Sequence, residues 1–398
     1  MLNFDFTYDF INLLLLGMMI YVGKLVSKGK SYWKPCAWII IMFTLVEGAR
    51  YGRGVDYLHY IDVYNFDLEK EQVLFTSINR ALKSLGISAE QAFFFYAFPF
   101  ILGAMYFMKP MRKYATYLFP LFLISFIEFH ESFIRQALSF SFIFIYMGKL
   151  NNIIESFPHK KIKVVQWAEL FLLALIAYSI HSIAIVGIFI STLALIFLWR
   201  PFPWVITVPI LLIGKFYVSQ HFDFSYLNSL LQFLGSTNEK FSGYTENADM
   251  WFSQDAINEA YTRNVVIQFL EAFACCSLAY LGNKLLLGSS ESHTDSPRQQ
   301  VSISLGGHYK LYAALFNISI IGLVILETFY NLEIVRRVSY CWELFWSVPV
   351  AIILYYRKSK IFNTLDRFLM LGFLYWAWQY IRFLFVWQDV PMFLWDKI

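Results

Sequence analysis

Apolar runs of close to twenty residues, separated by short polar joints, set the rhythm of the chain. A bilayer core needs about 20 apolar residues of helix to cross it, so this pattern predicts an all-α polytopic membrane protein. About twelve transmembrane helices are expected, near 10–26, 35–49, 91–108, 117–131, 134–149, 165–181, 183–199, 203–218, 263–282, 309–328, 339–356 and 366–386. The fourth and fifth can also be read as one re-entrant pair. Three segments, 48–90, 219–262 and 329–338, break the apolar rhythm at one end of this count. In the first, "LFTSINRALKSLG" sets Leu74, Ile78, Leu82 and Leu85 along one face, which predicts a short amphipathic helix at the interface. The second is polar, aromatic and long for a connector, and is expected to act as a lid. At the other end, 283–308 reads as a flexible linker, Ser/Gly-rich over 288–307. No internal repeat divides the chain, so 1–398 reads as a single integral membrane domain.

Composition agrees with the pattern. The 398 residues are 58% hydrophobic, 20% aromatic and 15% charged, with a mean hydropathy of +0.52. Soluble domains carry about a quarter charged residues, which argues against one here. The net charge of +4 needs no nucleic-acid partner, because the basic residues are unevenly placed. Nineteen of the 32, from Lys24 to Arg367, fall in joints on one side of the count, which should therefore be cytoplasmic. Both termini are then extracytoplasmic. The opening "MLNFDFTYDF" lacks a basic n-region, so no cleavable signal is expected. Four cysteines lie in or beside apolar runs without ligand or disulfide spacing and read as packing residues.

Candidate chemistry gathers on the outer side, where basic residues run against the charge trend. "RYGRGVDYLHY" places Arg50, Arg53 and Asp56 beside Gly52, Gly54, Tyr57 and Tyr60. Arginine can hold phosphate in a planar fork, and glycine lets backbone approach a ligand. The same residues also suit an interfacial turn in an aromatic belt. "FHESFIRQALSFSF" brings His130, Glu131, Arg135 and Gln136 between two apolar runs, where ionisable groups are costly and functional by default. A snorkelling Arg135 paired to Glu131 is the plainer alternative. His181 is either a hydrogen-bonded packing residue or a proton acceptor. "EIVRRVSYCWELF" supplies Arg336, Arg337 and Tyr340, of which only one arginine should face a site, and headgroup binding is the alternative. Five arginines from three distant segments on one level point to a shared polyanionic ligand. No acidic or histidine cluster has metal-ligand spacing, and no metal or cofactor is expected.

These pieces resemble a family. "RYGRGVDYLHY" is similar to the Arg-x-Gly-x-Gly-Thr-Asp-Tyr-x-x-Tyr signature of the EpsG-like Wzy polymerases of bacterial polysaccharides. "EQVLFTSIN", with Glu71 and Asn79, "IRQALSFSFIFIYMGKL", "ALIAYSIHSIAIV" and "RRVSYCWELFWSVP" resemble its later segments, in order. Val55 stands where threonine is usual, and Val73-Leu74 replace a glycine-aromatic pair. The resemblance implies a GT-C-like fold and a multi-pass protein of the bacterial inner membrane. It implies an enzyme that moves a growing glycan from undecaprenyl pyrophosphate onto a new lipid-linked repeat unit at the outer face. Arg50, Arg53, Arg135 and Arg336 or Arg337 would hold pyrophosphate, Asp56 or His181 would take the acceptor proton, and Gly52, Gly54, Glu71 and Asn79 would be structural. A chain-length regulator and a repeat-unit flippase are the protein partners it suggests. An O-antigen ligase would use the same donor. A flippase or transporter of lipid-linked oligosaccharide would need charges through the membrane middle, where Lys215, Glu271 and Arg382 are the exceptions to the outer clustering.

Overall fold

The computed structural model describes residues 6–68, 73–156, 163–219, 264–290, 305, 308–330, 332–385 and 393–394. Among these every regular element is helical, and the one β contact is an isolated antiparallel bridge between Arg50 and Phe393. The first half holds α1 (Phe6–Lys28), α2 (Trp33–Gly48), α3 (Tyr57–Phe66), α4 (Val73–Ser84), α5 (Ala89–Met108), α6 (Ala115–Ser132), α7 (Ile134–Ser156) and α8 (Val164–Ile180). The second holds α9 (Ala184–Phe197), α10 (Trp204–Ile213), α11 (Val265–Ser290), α12 (Tyr309–Thr328), α13 (Glu333–Ser339), α14 (Ser347–Tyr355), α15 (Thr364–Leu369) and α16 (Leu374–Leu384). Each of the twelve apolar runs falls on one of these helices or on two in succession. Five stretches, 7–28, 89–132, 134–156, 265–288 and 309–328, are long and apolar enough by themselves to cross a membrane. Shorter apolar helices cover 164–180, 184–197, 204–218 and 343–355.

Local chemistry sets the helix ends. Ser88 and Gln91 form a reciprocal capping box at the start of α5, and Asn363 and Asp366 form another at α15. The 44-residue stretch 89–132 is two helices, because a 3-10 turn over Lys109–Tyr114 breaks it at Met111. At that turn Arg112 donates to the carbonyl oxygens of Gly29 and Lys30, in the joint between α1 and α2. At the far end of α6, Glu131 meets Arg53, just beyond α2. Thus α5 and α6 run in opposite directions. Only Phe133 separates α6 from α7, which have 18 and 23 residues. At 1.5 Å per residue they measure about 27 and 34 Å, so they form two full-length antiparallel helices rather than a shallow re-entrant pair.

The basic joints collect at one end of the bundle. Lys113 donates to the Tyr356 hydroxyl at 3.1 Å, Arg357 donates to Tyr117, and Lys284 pairs with Asp366 at 2.6 Å. His308 Nδ1 lies 2.7 Å from Glu155 at the same end. The opposite end carries α3, α4, the Phe133 turn, the His181 turn and α13. A main apolar core runs through the bundle, and a smaller one beneath α3 and α4 joins Tyr57, Tyr60, Phe75, Phe93, Tyr96 and Ile180.

Three boundaries differ from the pattern read along the chain. The buried face of α4 is Phe75, Asn79 and Leu82, while Leu85 lies beyond the helix and is exposed. The expected linker does not begin at 283, because Leu285 and Leu286 are buried and Asn283 donates to the Phe202 carbonyl, which keeps α11 helical to Ser290. Residues 220–262 of the expected lid, most of 288–307, and Glu71 lie outside the described residues.

Candidate functional site

The arginine-glycine motif turns inward. After α2 the chain bends through residues 49–56, and Arg50 and Arg53 are both 0% exposed. Arg53 Nη1 lies 2.7 Å from Glu131 Oε1 and 3.7 Å from Glu47 Oε1. Its Nη2 donates to the Val46 carbonyl at 2.7 Å, and the guanidinium carbon lies about 5 Å from the ring centroids of Tyr8 and Phe393. Arg50 Nη1 donates to the carbonyls of His130 and Glu131, both at 3.2 Å, and sits 3.9 Å from Glu47 Oε2. The Phe93 ring covers its other face at 4.6 Å. His130 Nδ1 faces Glu47 Oε2 at 3.2 Å, with the ring packed between Phe43 and Phe100.

Two guanidiniums and two carboxylates thus gather in one buried cluster, in which Arg50 Nε and Nη2 and Arg53 Nε have no hydrogen-bond partner among the described residues. Burial opposes the charge on both arginines. For Arg53 the carboxylates of Glu131 and Glu47 outweigh it and hold the pKa above the ordinary range, whereas for Arg50 burial prevails and lowers it. The glycines fit this closure. Gly52 and Gly54 have φ of +75° and +101°, and a Cβ on Gly54 would overlap the Glu131 carbonyl oxygen. Only glycine satisfies both the backbone angle and the contact.

Around this clamp the other motif residues divide. Tyr57 is buried and stacks on Phe93 at 5.1 Å, and buried Asn79 accepts the Tyr96 hydroxyl at 2.6 Å. Asp56 is half-buried at the start of α3. Arg135 opens α7 half-buried, with its guanidinium over Tyr60 at 5.6 Å and Phe75 at 6.0 Å, and its backbone N–H donates to the Tyr60 hydroxyl. His181 ends α8, and its Nδ1 accepts the Ile183 N–H at 3.3 Å. Gln136 donates to the Arg337 carbonyl at 3.5 Å and ties α7 to α13. The three arginine-bearing segments therefore do converge on the α6–α7 turn, but their guanidiniums do not share one space.

A cavity of about 320 Å³ lies beside that turn, between α6, α11, α12, α13, the 3-10 turn Glu343–Trp346 and α16. Arg336 and Tyr340 line it, while the guanidinium of Arg337 lies over Phe133 at 5.3 Å. Trp346, Tyr375 and Trp376 add aromatic surface, and Phe129, Phe133 and Leu323 add apolar wall. Four carboxylates, Glu128, Glu271, Glu327 and Glu343, and the exposed Arg382 complete its charged lining. Lys215 closes on two of them: its Nζ is 2.5 Å from Glu271 Oε2 and also contacts Glu327. Asp56, Arg50, Arg53, Arg135 and His181 do not line this cavity. Glu343, Glu128 and Glu327 escaped the reading of the sequence. The signal that pointed to them was the set of ionisable residues inside apolar runs, Lys215, Glu271 and Arg382. Among the described residues no group of three or more His, Cys, Asp or Glu is arranged to hold a metal ion.

No curated protein and no solved structure gives a significant match to the chain. The model of the EpsG family matches residues 33–389, a span that includes Glu47, Arg50, Arg53 and Glu131 of the buried clamp, the Arg135 turn and the whole lining of the cavity. With most of its length inside that match, the chain belongs to the EpsG family, whose members are of polysaccharide-polymerase type.

Proposed function

We propose that this protein polymerises lipid-linked oligosaccharide repeat units. It transfers the growing glycan, held on undecaprenyl pyrophosphate, to the non-reducing end of a new lipid-linked repeat at the outer face of the bacterial cytoplasmic membrane. The observation that carries this reading is the cavity with Arg336, a tyrosine and tryptophan wall and buried carboxylates at the end opposite the basic joints. Breaking a sugar–pyrophosphate bond places negative charge on the leaving group, and a fixed guanidinium stabilises that charge most in the transition state. Aromatic walls suit the C–H faces of sugar rings, and a few placed polar groups orient the hydroxyls. Basic joints on the opposite end fit a cytoplasmic location there, with twelve crossings and both termini outside.

Arg135 supplies a second anion site beside the cavity, next to His181, Tyr60 and Gln136. Arg50, Arg53, Glu131 and His130 hold the α6–α7 turn that carries Arg135 and so act as positioning residues. The Lys215–Glu271–Glu327 group inside the bundle is the one observation favouring translocation of a lipid-linked oligosaccharide instead. Its lysine is already closed by two carboxylates, which makes it a poor binding site for a passing anion.

The test is an Arg336→Ala chromosomal variant with surface glycan resolved by size. The expected outcome is single repeats in place of long chains, with the protein still present in the membrane. Normal chain length overturns the assignment. Long polymer left on undecaprenyl pyrophosphate would identify a ligase, and repeats trapped on the cytoplasmic leaflet would identify a transporter.

A further inference from the structure

The carboxylates around the cavity are not equivalent. Glu271 and Glu327 both face Lys215, and each has a further donor: Tyr375 to Glu271 at 2.9 Å and Cys275 to Glu327 at 3.5 Å. Glu128 stands at the exposed rim. Glu343 is different. It is 8% exposed and lines the cavity, and among the described residues its carboxylate makes no hydrogen bond and no ion pair. Its backbone is nevertheless fixed, because Gly322 of α12 packs so closely that a Cβ there would overlap the Glu343 N and Cα atoms. A buried polar group without a partner carries a desolvation cost that a ligand group can relieve.

We infer that Glu343 is the general base for the acceptor hydroxyl, an assignment that rests on the polymerase reading above. Charge decides which substrate group goes where. The donor pyrophosphate is repelled by a carboxylate and drawn to Arg336, whereas a sugar hydroxyl donates a hydrogen bond to Glu343. In the step itself, Glu343 takes the proton from the acceptor O–H, and that oxygen forms a bond to the anomeric carbon of the donor glycan. The bond from that carbon to the pyrophosphate oxygen breaks, and its electron pair leaves with undecaprenyl pyrophosphate. The proton on Glu343 then passes to solvent, restoring the carboxylate. Glu271 and Glu327 do not take this role, since both carboxylates are engaged by Lys215 and each has a further donor.

The experiment uses the full-length protein in lipid nanodiscs. The probe is the undecaprenyl-pyrophosphate-linked repeat unit extracted from a strain lacking this gene. Glu343→Gln keeps the size of the side chain but cannot accept the proton. Chain extension is expected to slow by about 10²–10⁴-fold, the usual contribution of a general base, while probe binding stays at the wild-type level. Glu343→Gln extending chains within about tenfold of wild type overturns the inference. If Glu343→Gln fails to insert, Glu343→Ala with added formate decides: extension that depends on formate supports the base, and extension that ignores formate overturns it. Wild-type protein that leaves the probe at one repeat overturns the polymerase reading itself, a result distinct from an active Glu343→Gln.

Discussion

Arg53 and Arg336 both belong to the end of the bundle opposite the basic joints, yet their surroundings differ in kind. Arg53 is sealed between two aromatic rings, with Glu131 at 2.7 Å, Glu47 at 3.7 Å and a backbone carbonyl engaging its two terminal nitrogens. Arg336 is half-buried on α13 and opens on a cavity shared with Glu343. The first cluster sets two guanidiniums against two carboxylates in a fully buried position. The second sets a guanidinium and a carboxylate that makes no hydrogen bond among the described residues around one space, an arrangement suited to the proposed charged leaving group and neutral nucleophile. Arginine at the right membrane level is therefore a poor guide to ligand contact unless its carboxylate partners are also known.

This contrast predicts different failures. Arg53→Ala strands Glu131 and Glu47 in a buried site, and breaking a buried pair by removing one partner costs about 3–5 kcal/mol. The expected result is a large fall in thermal unfolding midpoint and in yield, measured in detergent. Arg336→Ala should lower chain extension while leaving that midpoint near wild type. Equal midpoints for Arg53→Ala and wild type would break the comparison.

A smaller effect is expected at Gly54. Alanine there must adopt a φ of +101° and displace the Glu131 carbonyl, a strain of about 1–3 kcal/mol. Thermal unfolding of Gly54→Ala should show a drop below that of Arg53→Ala. A midpoint unchanged from wild type would mean the turn relaxes without the clamp.

Much of the architecture was legible in the chain because a membrane bundle writes its helices directly as apolar runs. The order of the arginine segments was legible too, but their meeting at the α6–α7 turn was not. Neither was side-chain direction. Arg53 finds Glu131 78 residues away, and nothing in "RYGRGVDY" reveals that the turn folds back under α2. Glu343 sits in an apolar stretch, "CWELFWSVP", where one carboxylate carries no spacing signal of its own. It acquires meaning only when Gly322, Arg336 and the rim of α6 are brought around it. Lys215 and Glu271 were visible as misplaced charges, but their pairing with Glu327 depends on the packing of three helices.

The central claim, that the Arg336 cavity is where glycan is transferred between lipid pyrophosphates, is tested most directly by product length. Purified wild-type and Arg336→Ala proteins in nanodiscs would be given the same undecaprenyl-pyrophosphate-linked repeat units, and the products resolved by mass. The account predicts a ladder of two or more repeats from wild type, with release of undecaprenyl pyrophosphate. From Arg336→Ala it predicts extension reduced by about 10²–10³-fold, the loss typical of removing one transition-state donor, at an unchanged unfolding midpoint. A matching ladder from both proteins at the same rate would contradict it.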